Sequence, residues 1–173
     1  LLQSTYTSID KNSVLSASAT ESGAGGTIVA WSKIKDSNSV TSVYGTLTAK
    51  GIDGDGGQIE TSGAVLNYNG IKVDTSSETG NYGIWLLDPT NLTVGSSEAS
   101  TYVSNLASTN VNVTADNTIT VNSAISYGGG RSNGTLTFTS ASTVLNANVG
   151  SSSNSLNVVF ASAVKLGADV TIN

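Results

Sequence analysis

The last third of this chain carries a repeat of alternating apolar and small polar residues. From Val111, apolar or small residues follow at Val113, Ala115, Ile119, Val121 and Ile125. From Leu136 the same offsets give Phe138, Ser140, Val144 and Asn146, with Val149 one residue earlier than the pattern places it. From Leu156 they give Val158, Phe160, Val164, Leu166 and Val170, so the copies begin 25 and then 20 residues apart. Apolar residues two apart with Thr, Asn or Ser between them have the period of a half-buried strand. Each copy is therefore expected to be two or three short strands. A fixed period of this size is the signature of a solenoid, in which no single coil can bury its inward side chains and stacking supplies the core. The difference in copy length falls in the polar segments SYGGGRSNG after Ile125 and GSSSNS after Val149, where added residues only lengthen a loop.

The first half carries the same alternation less regularly. GGTIVAW (25–31), YGTLTAKG (44–51) and GGQIETSG (56–63) each read as a glycine turn followed by a strand. VLNYNGIKVDTS (65–76) follows, then YGIWLLDPTNLTV (82–94), which reads as a more buried strand, a proline-containing turn and another strand. The expected fold is all-β, a right-handed parallel β-helix. At roughly 20 to 25 residues per coil it would make about seven or eight coils, a rod on the order of 35 to 40 Å long at a strand spacing of about 4.8 Å. It is read as one unit: opening coils at 1–24, a series at 25–94, a loop or short helix leaving the rod at 95–109, and regular Thr/Asn-rich coils at 110–173.

Composition narrows the function classes. Charged residues are 11% of the chain and Pro occurs once, at Pro89, which suits many short strands with polar turns better than helices or charged disorder. The net charge of -5 is spread over 12 acidic and 7 basic residues, with Arg131 the only arginine, so no basic stripe for nucleic acid exists and an anionic membrane is a poor partner. Cys and His are both absent, which removes disulfides, thiolate or imidazole metal sites and Cys or His catalysis. No leader peptide opens the chain and no apolar run approaches membrane-spanning length. Both ends read as cuts through something longer.

The succession GGTIVAWS, YGTLTAKG, DGDGGQIETSG, LNYNGIKVDTS and GNYGIWLLDPTNLTV resembles consecutive coils of filamentous-haemagglutinin-like exoproteins of two-partner secretion systems. The resemblance is strongest over 25–94 and rests on the order of the segments, the paired glycines and the LLDP turn together. It implies a three-faced right-handed β-helix, exported unfolded through an outer-membrane pore and folding outside the cell, in a family that acts in adhesion, haemagglutination or cytolysis. The amino-terminal secretion domain of that family, with its Asn-Pro motif, is not present in these residues.

Individual candidates read as structural. Asp53 and Asp55 in the DGDGG turn could be half of a calcium loop, but the other ligands of an EF-hand are missing. Asp88 before Pro89 could be a lone catalytic carboxylate, yet Asp-Pro is a common turn opening whose side chain caps local amides. Trp31 and Trp85 could stack on sugars, but both lie in apolar strands and are expected in the core, with Tyr44, Tyr68, Tyr82 and Tyr127 partly exposed. Thr46 and Thr48, and Thr135, Thr137 and Thr139, resemble an ice-binding array, which requires threonines in register on successive coils. Asn91, Asn112 and Asn133 begin glycosylation sequons, and some adhesins of the family are glycosylated at such sites.

No catalytic, cofactor or metal residues are therefore assigned, and the chain is read as a non-enzyme. Its expected role is a structural and adhesive shaft on the bacterial cell surface. Its expected partners are glycans or proteins of host or neighbouring cells and, during export, the secretion pore. An end-to-end filament subunit is the alternative, since an uncovered β-helix end invites pairing. A polysaccharide-degrading β-helix enzyme is a further alternative, one that needs clustered carboxylates on neighbouring coils.

Overall fold

A computed structural model describes residues 4–33, 35–129, 134–152 and 156–173. The chain winds through β1 (Tyr6–Ile9), β2 (Val14–Ser16), β3 (Thr27–Trp31), β4 (Val40–Val43), β5 (Thr46–Thr48), β6 (Gln58–Gly63), β7 (Val65–Asn67), β8 (Lys72–Asp74) and β9 (Ile84–Pro89). It continues through β10 (Asn91–Val94), helix α1 (Ser96–Asn105), β11 (Asn110–Val121), β12 (Ile125–Tyr127), β13 (Gly134–Leu145), β14 (Val149–Ser151), β15 (Leu156–Phe160) and β16 (Val164–Leu166). β1, β4 and β7 stack on one face, β2, β5 and β8 on a second, and β3, β6, β9, β11, β13 and β15 on a third. Pairing among the described strands is parallel throughout, so the fold is a parallel β-solenoid.

Alternation places the core. On the third face Ile28, Ile59, Trp85, Val111, Leu136 and Val158 form one inward column, and Ala30, Thr61, Leu87, Val113, Phe138 and Phe160 form the next. Trp85, Leu87, Val111, Val113, Leu136 and Phe138 are fully buried, each contributing about 1.5 to 3 kcal/mol relative to exposure. The rings of Phe138 and Phe160 stack at 5.6 Å. Tyr68, Trp85 and Tyr102 pack as an aromatic trio with centroids 5.8 to 6.3 Å apart. The hydroxyls of Tyr68 and Tyr102 share a hydrogen bond of 2.6 Å, so the two polar ends inside the core satisfy each other.

Successive partners on the third face, Thr27 with Gln58, Gln58 with Ile84, Ile84 with Asn110, Val111 with Leu136 and Leu136 with Val158, are 31, 26, 26, 25 and 22 residues apart. The first three turns are longer than expected, because the loops between the second and third faces and helix α1 use extra residues, and the last two fall within the expected range. Four turns, between Val40 and Ser140, have a neighbour on each side, so the stack is shorter than seven or eight coils. The 25-residue step from Val111 holds. The last copy is set two residues later than expected, since Leu136 pairs with Val158 and not with Leu156. The one-residue slip expected at Val149 occurs earlier, where Ala115 pairs with Ser140 but Thr118 pairs with Ser142. Asp116 and Asn117 there oppose the single Ala141, a bulge that turns β11 from one face to the next.

Segment 95–109 holds helix α1, but the helix does not leave the rod. Glu98 accepts the Gly95 amide at 2.9 Å in the first turn, a favourable place for a carboxylate. Tyr102 and Leu106 are fully buried, and the helix packs between β8 and β12, where the second face would otherwise carry a strand. The Asn105 side chain accepts the Val73 amide at 2.6 Å and donates to the Ile71 carbonyl at 3.1 Å, while Ser108 donates to the Val73 carbonyl at 2.8 Å. These side chains supply the hydrogen bonds that the missing strand would have made along β8.

Candidate functional site

The glycine-rich turns form a stacked series. Gly26, Gly57 and Gly83 donate to Ala17, Ala49 and Thr75 at 2.7, 2.7 and 2.8 Å, each closing a loop from the second face to the third. A Cβ on Gly57 would lie 2.0 Å from the Gly26 carbonyl oxygen, and one on Gly83 would lie 1.9 Å from that of Gly57. Close approach of neighbouring coils therefore requires glycine here. Asp53 accepts the Gly23 amide in the loop on one side, and Asp55 accepts the Asn81 amide at 2.8 Å on the other. Both carboxylates thus tie stacked loops together, and no cluster of three acidic residues able to hold a metal occurs among the described residues.

The outward side of the third face is mixed. Trp85 is buried as expected, with its indole N–H on Thr61 Oγ1 at 3.0 Å, but Trp31 is 42% exposed. Burial in β3 alternates, and Trp31 shares the outward phase of Thr27 and Val29 while Ile28 and Ala30 point in. Asp88 also departs from expectation, since it lies in strand β9 beside Ser62 and caps no local amide among the described residues. Burial, then the charges of Asp116 and Glu60, hold its carboxyl above the usual range. The threonines form no extended array: Thr139 stacks on Thr114, but Thr135 stacks on Asn157, Thr137 stands between Asn112 and Val159, and Thr46 between Val14 and Lys72, with Thr48 between Ser16 and Asp74.

Tyr44 is exposed and Tyr82 half-buried as expected, but Tyr68 and Tyr127 are buried. Both buried tyrosines fall on inward phases: Tyr68 begins a turn directed at Tyr102, and Tyr127 shares the phase of Ile125. Of the sequon asparagines, Asn91 is exposed and Asn112 half-buried, while Asn133, like Arg131, lies outside the described residues.

A notch lies at the corner between the first and second faces. The first and third corners span four residues, 10–13 and 68–71, whereas the corner between them has only Tyr44 and Gly45. The outer two are tight turns closed by Ser13 N to Asp10 O at 2.9 Å and Ile71 N to Tyr68 O at 3.1 Å. The second has Gly70 at φ +79°, as a type II turn requires. Two longer corners thus flank a recessed one and leave a cleft of about 520 Å³ lined by Asp10, Lys11, Asn12, Tyr44, Asn69 and Gly70. Gly45 permits the recess, because a Cβ there would lie 2.5 Å from the Ser13 carbonyl oxygen. The 4-2-4 pattern of corner lengths is present in the sequence but becomes visible only once the strands are aligned.

Comparison of the chain with protein-family models, with curated proteins and with solved structures finds no match.

Proposed function

We propose that this chain is a section of a right-handed β-helical shaft belonging to a secreted bacterial surface protein, and that it presents adhesive surfaces away from the cell without enzymatic activity. The observation that carries the proposal is the unbroken third face, six parallel strands over one inward column from Ile28 to Val158. Such a stack resists bending because every strand is hydrogen-bonded to its neighbours and every inward side chain packs on those of adjacent turns. Right-handed winding follows the strong handedness preference of parallel crossovers. The filamentous-haemagglutinin-like resemblance of residues 25–94 adds the extracellular setting and export through a secretion pore. The test is electron microscopy of the native material with mass spectrometry of its polypeptide. Thin rods made of one long chain are expected, and compact particles would overturn the proposal. A reducing-end assay on acidic and neutral polysaccharides tests the non-enzymatic part, where turnover would refute it.

The outer turns favour a second reading. Ile9 and Leu15 at one end and Val158, Phe160 and Val164 at the other are only partly buried, while Val43, Leu47, Val111 and Phe138 between them are fully buried. A further coil, from the same polypeptide or from another copy, would cover them. Filaments built from short units in the same micrographs would favour end-to-end assembly over a continuous shaft.

A further inference from the structure

We infer that the corner notch floored by Tyr44 is a binding site for a neutral saccharide of one or two pyranose rings. The inference rests on the adhesive reading above and names the ligand class for one of its surfaces. The notch is walled by the turns at 10–13 and 68–71, which lie one turn to either side of Tyr44. The wall backbones are therefore two strand spacings apart, about 9.6 Å, and the clear gap is about one spacing, ~4.8 Å, which admits the thickness of a sugar ring and excludes a folded protein element such as a helix of about 10 Å diameter.

The floor and walls ask for different things of a ligand. Tyr44 is 38% exposed and offers a flat ring and a hydroxyl that has no partner among the described residues. The walls offer the Asp10 carboxylate, the Lys11 ammonium and the amides of Asn12 and Asn69, all on exposed residues. A purely apolar ligand would leave these groups desolvated without partners, at a cost. An anion would meet Asp10 and a cation would meet Lys11, so the lining selects neither charge. A neutral polyhydroxyl ring satisfies both parts, with its C–H face on the tyrosine ring and its hydroxyls on side chains that both donate and accept.

The walls are held in place. Gly70 donates its amide to Thr101 Oγ1 of α1 at 3.0 Å, and Tyr68, which opens the same turn, is anchored through its hydroxyl to Tyr102. On the other wall, Thr46 donates to the Ser13 carbonyl at 2.9 Å and Tyr44 to that of Ile9 at 2.9 Å. Turn backbones pre-formed in this way leave only the lining side chains to be ordered when a ligand enters.

The test is a titration of the isotope-labelled full chain with neutral mono- and disaccharides of glucose, galactose, mannose and N-acetylglucosamine, up to tens of millimolar, followed by amide chemical shifts. At least one is expected to give saturable shifts confined to residues 10–13, 44–46 and 68–71. Tyr44→Ala should weaken that binding tenfold or more, Tyr44→Phe should keep most of it, and Tyr6→Ala, an exposed tyrosine outside the notch, should leave it unchanged. Inserting Asn-Gly between Tyr44 and Gly45 would give all three corners four residues and should abolish binding, with circular dichroism and the melting temperature checking that the stack remains intact. No saturable shift with any of these sugars, shifts located elsewhere, or binding indifferent to Tyr44→Ala would overturn the inference. Rods that bind no sugar here would sink the notch alone, whereas sugar binding by a protein that forms no rods would sink the shaft alone.

Discussion

Replacing Asn105 by Ala tests whether side chains of α1 stand in for a strand. The Asn105 amide is 4% exposed and links three backbone groups: the Val73 amide, the Ile71 carbonyl and the Thr101 carbonyl of its own helix. Truncation leaves the Val73 N–H and the Ile71 carbonyl without partners at a buried edge, and each such loss costs about 1 to 3 kcal/mol. Water admitted to the vacated space recovers part of this, so Asn105→Ala is expected to destabilise by about 3 to 4 kcal/mol. Ser104→Ala provides the comparison: its hydroxyl is exposed and bonds only to the Ser100 carbonyl one turn back, so a change within about 0.5 kcal/mol is expected. The assay is urea denaturation, read at an unchanged m-value, together with native-state hydrogen exchange of the Val73 amide, which should speed up selectively. A loss below about 1 kcal/mol with Val73 exchange unaltered would refute the idea that Asn105 completes the second face.

Gly57→Ala should cost more than Gly70→Ala in thermal melts. The first would drive a Cβ into the Gly26 carbonyl and threatens the hydrogen bonds of Gly57 and Gln58, about 2 to 4 kcal/mol. The second meets no atom within 4 Å and carries only the strain of a positive φ, about 1 kcal/mol. Burial holds the hydroxyl pKa values of both Tyr68 and Tyr102 well above the ordinary tyrosine value. The unfolded chain therefore loses these protons first, near pH ~10, so their contribution is intact below that pH and declines as pH rises beyond it. Absorbance titration should show these two of the six tyrosines ionising only as the fold is lost, and full ionisation of all six with circular dichroism unchanged would contradict this. Trp31→Phe should remove the emission that iodide quenches, leaving Trp85 shielded, and quenching that persists in the variant would place Trp85 at the surface.

The strand period was legible in the sequence because alternation on a half-buried strand is a local property. It located the strands around Val111, Leu136 and Leu156, and the first step of 25 residues. The next step is hidden because Leu156 and Val158 are both apolar and share one phase, so a shift of two residues leaves the pattern almost unchanged. Trp31 is ambiguous in the sequence for a related reason: in TIVAW (27–31) apolar residues occupy both phases, and only pairing with β6 decides that Ile28 and Ala30 face inward. Helix α1 was recognisable as an interruption, but its place inside the stack depends on Asn105 and Ser108 reaching β8, a contact over more than thirty residues. The Tyr44 notch is written in three corner lengths that have no meaning until the turns are set in register.

Whether the third face is one ladder in this register can be read by pulsed electron paramagnetic resonance on pairs of engineered cysteines, since the chain has no native cysteine. One label would be placed at Val29 and the second in turn at Glu60, Leu86, Asn112, Thr137 and Val159, which form a single outward column. The account predicts mean distances that rise by one strand spacing per step, reaching about 24 Å between the backbones of Val29 and Val159. Distances that fail to rise in this order, or a longer separation for Leu86 than for Asn112, would contradict it.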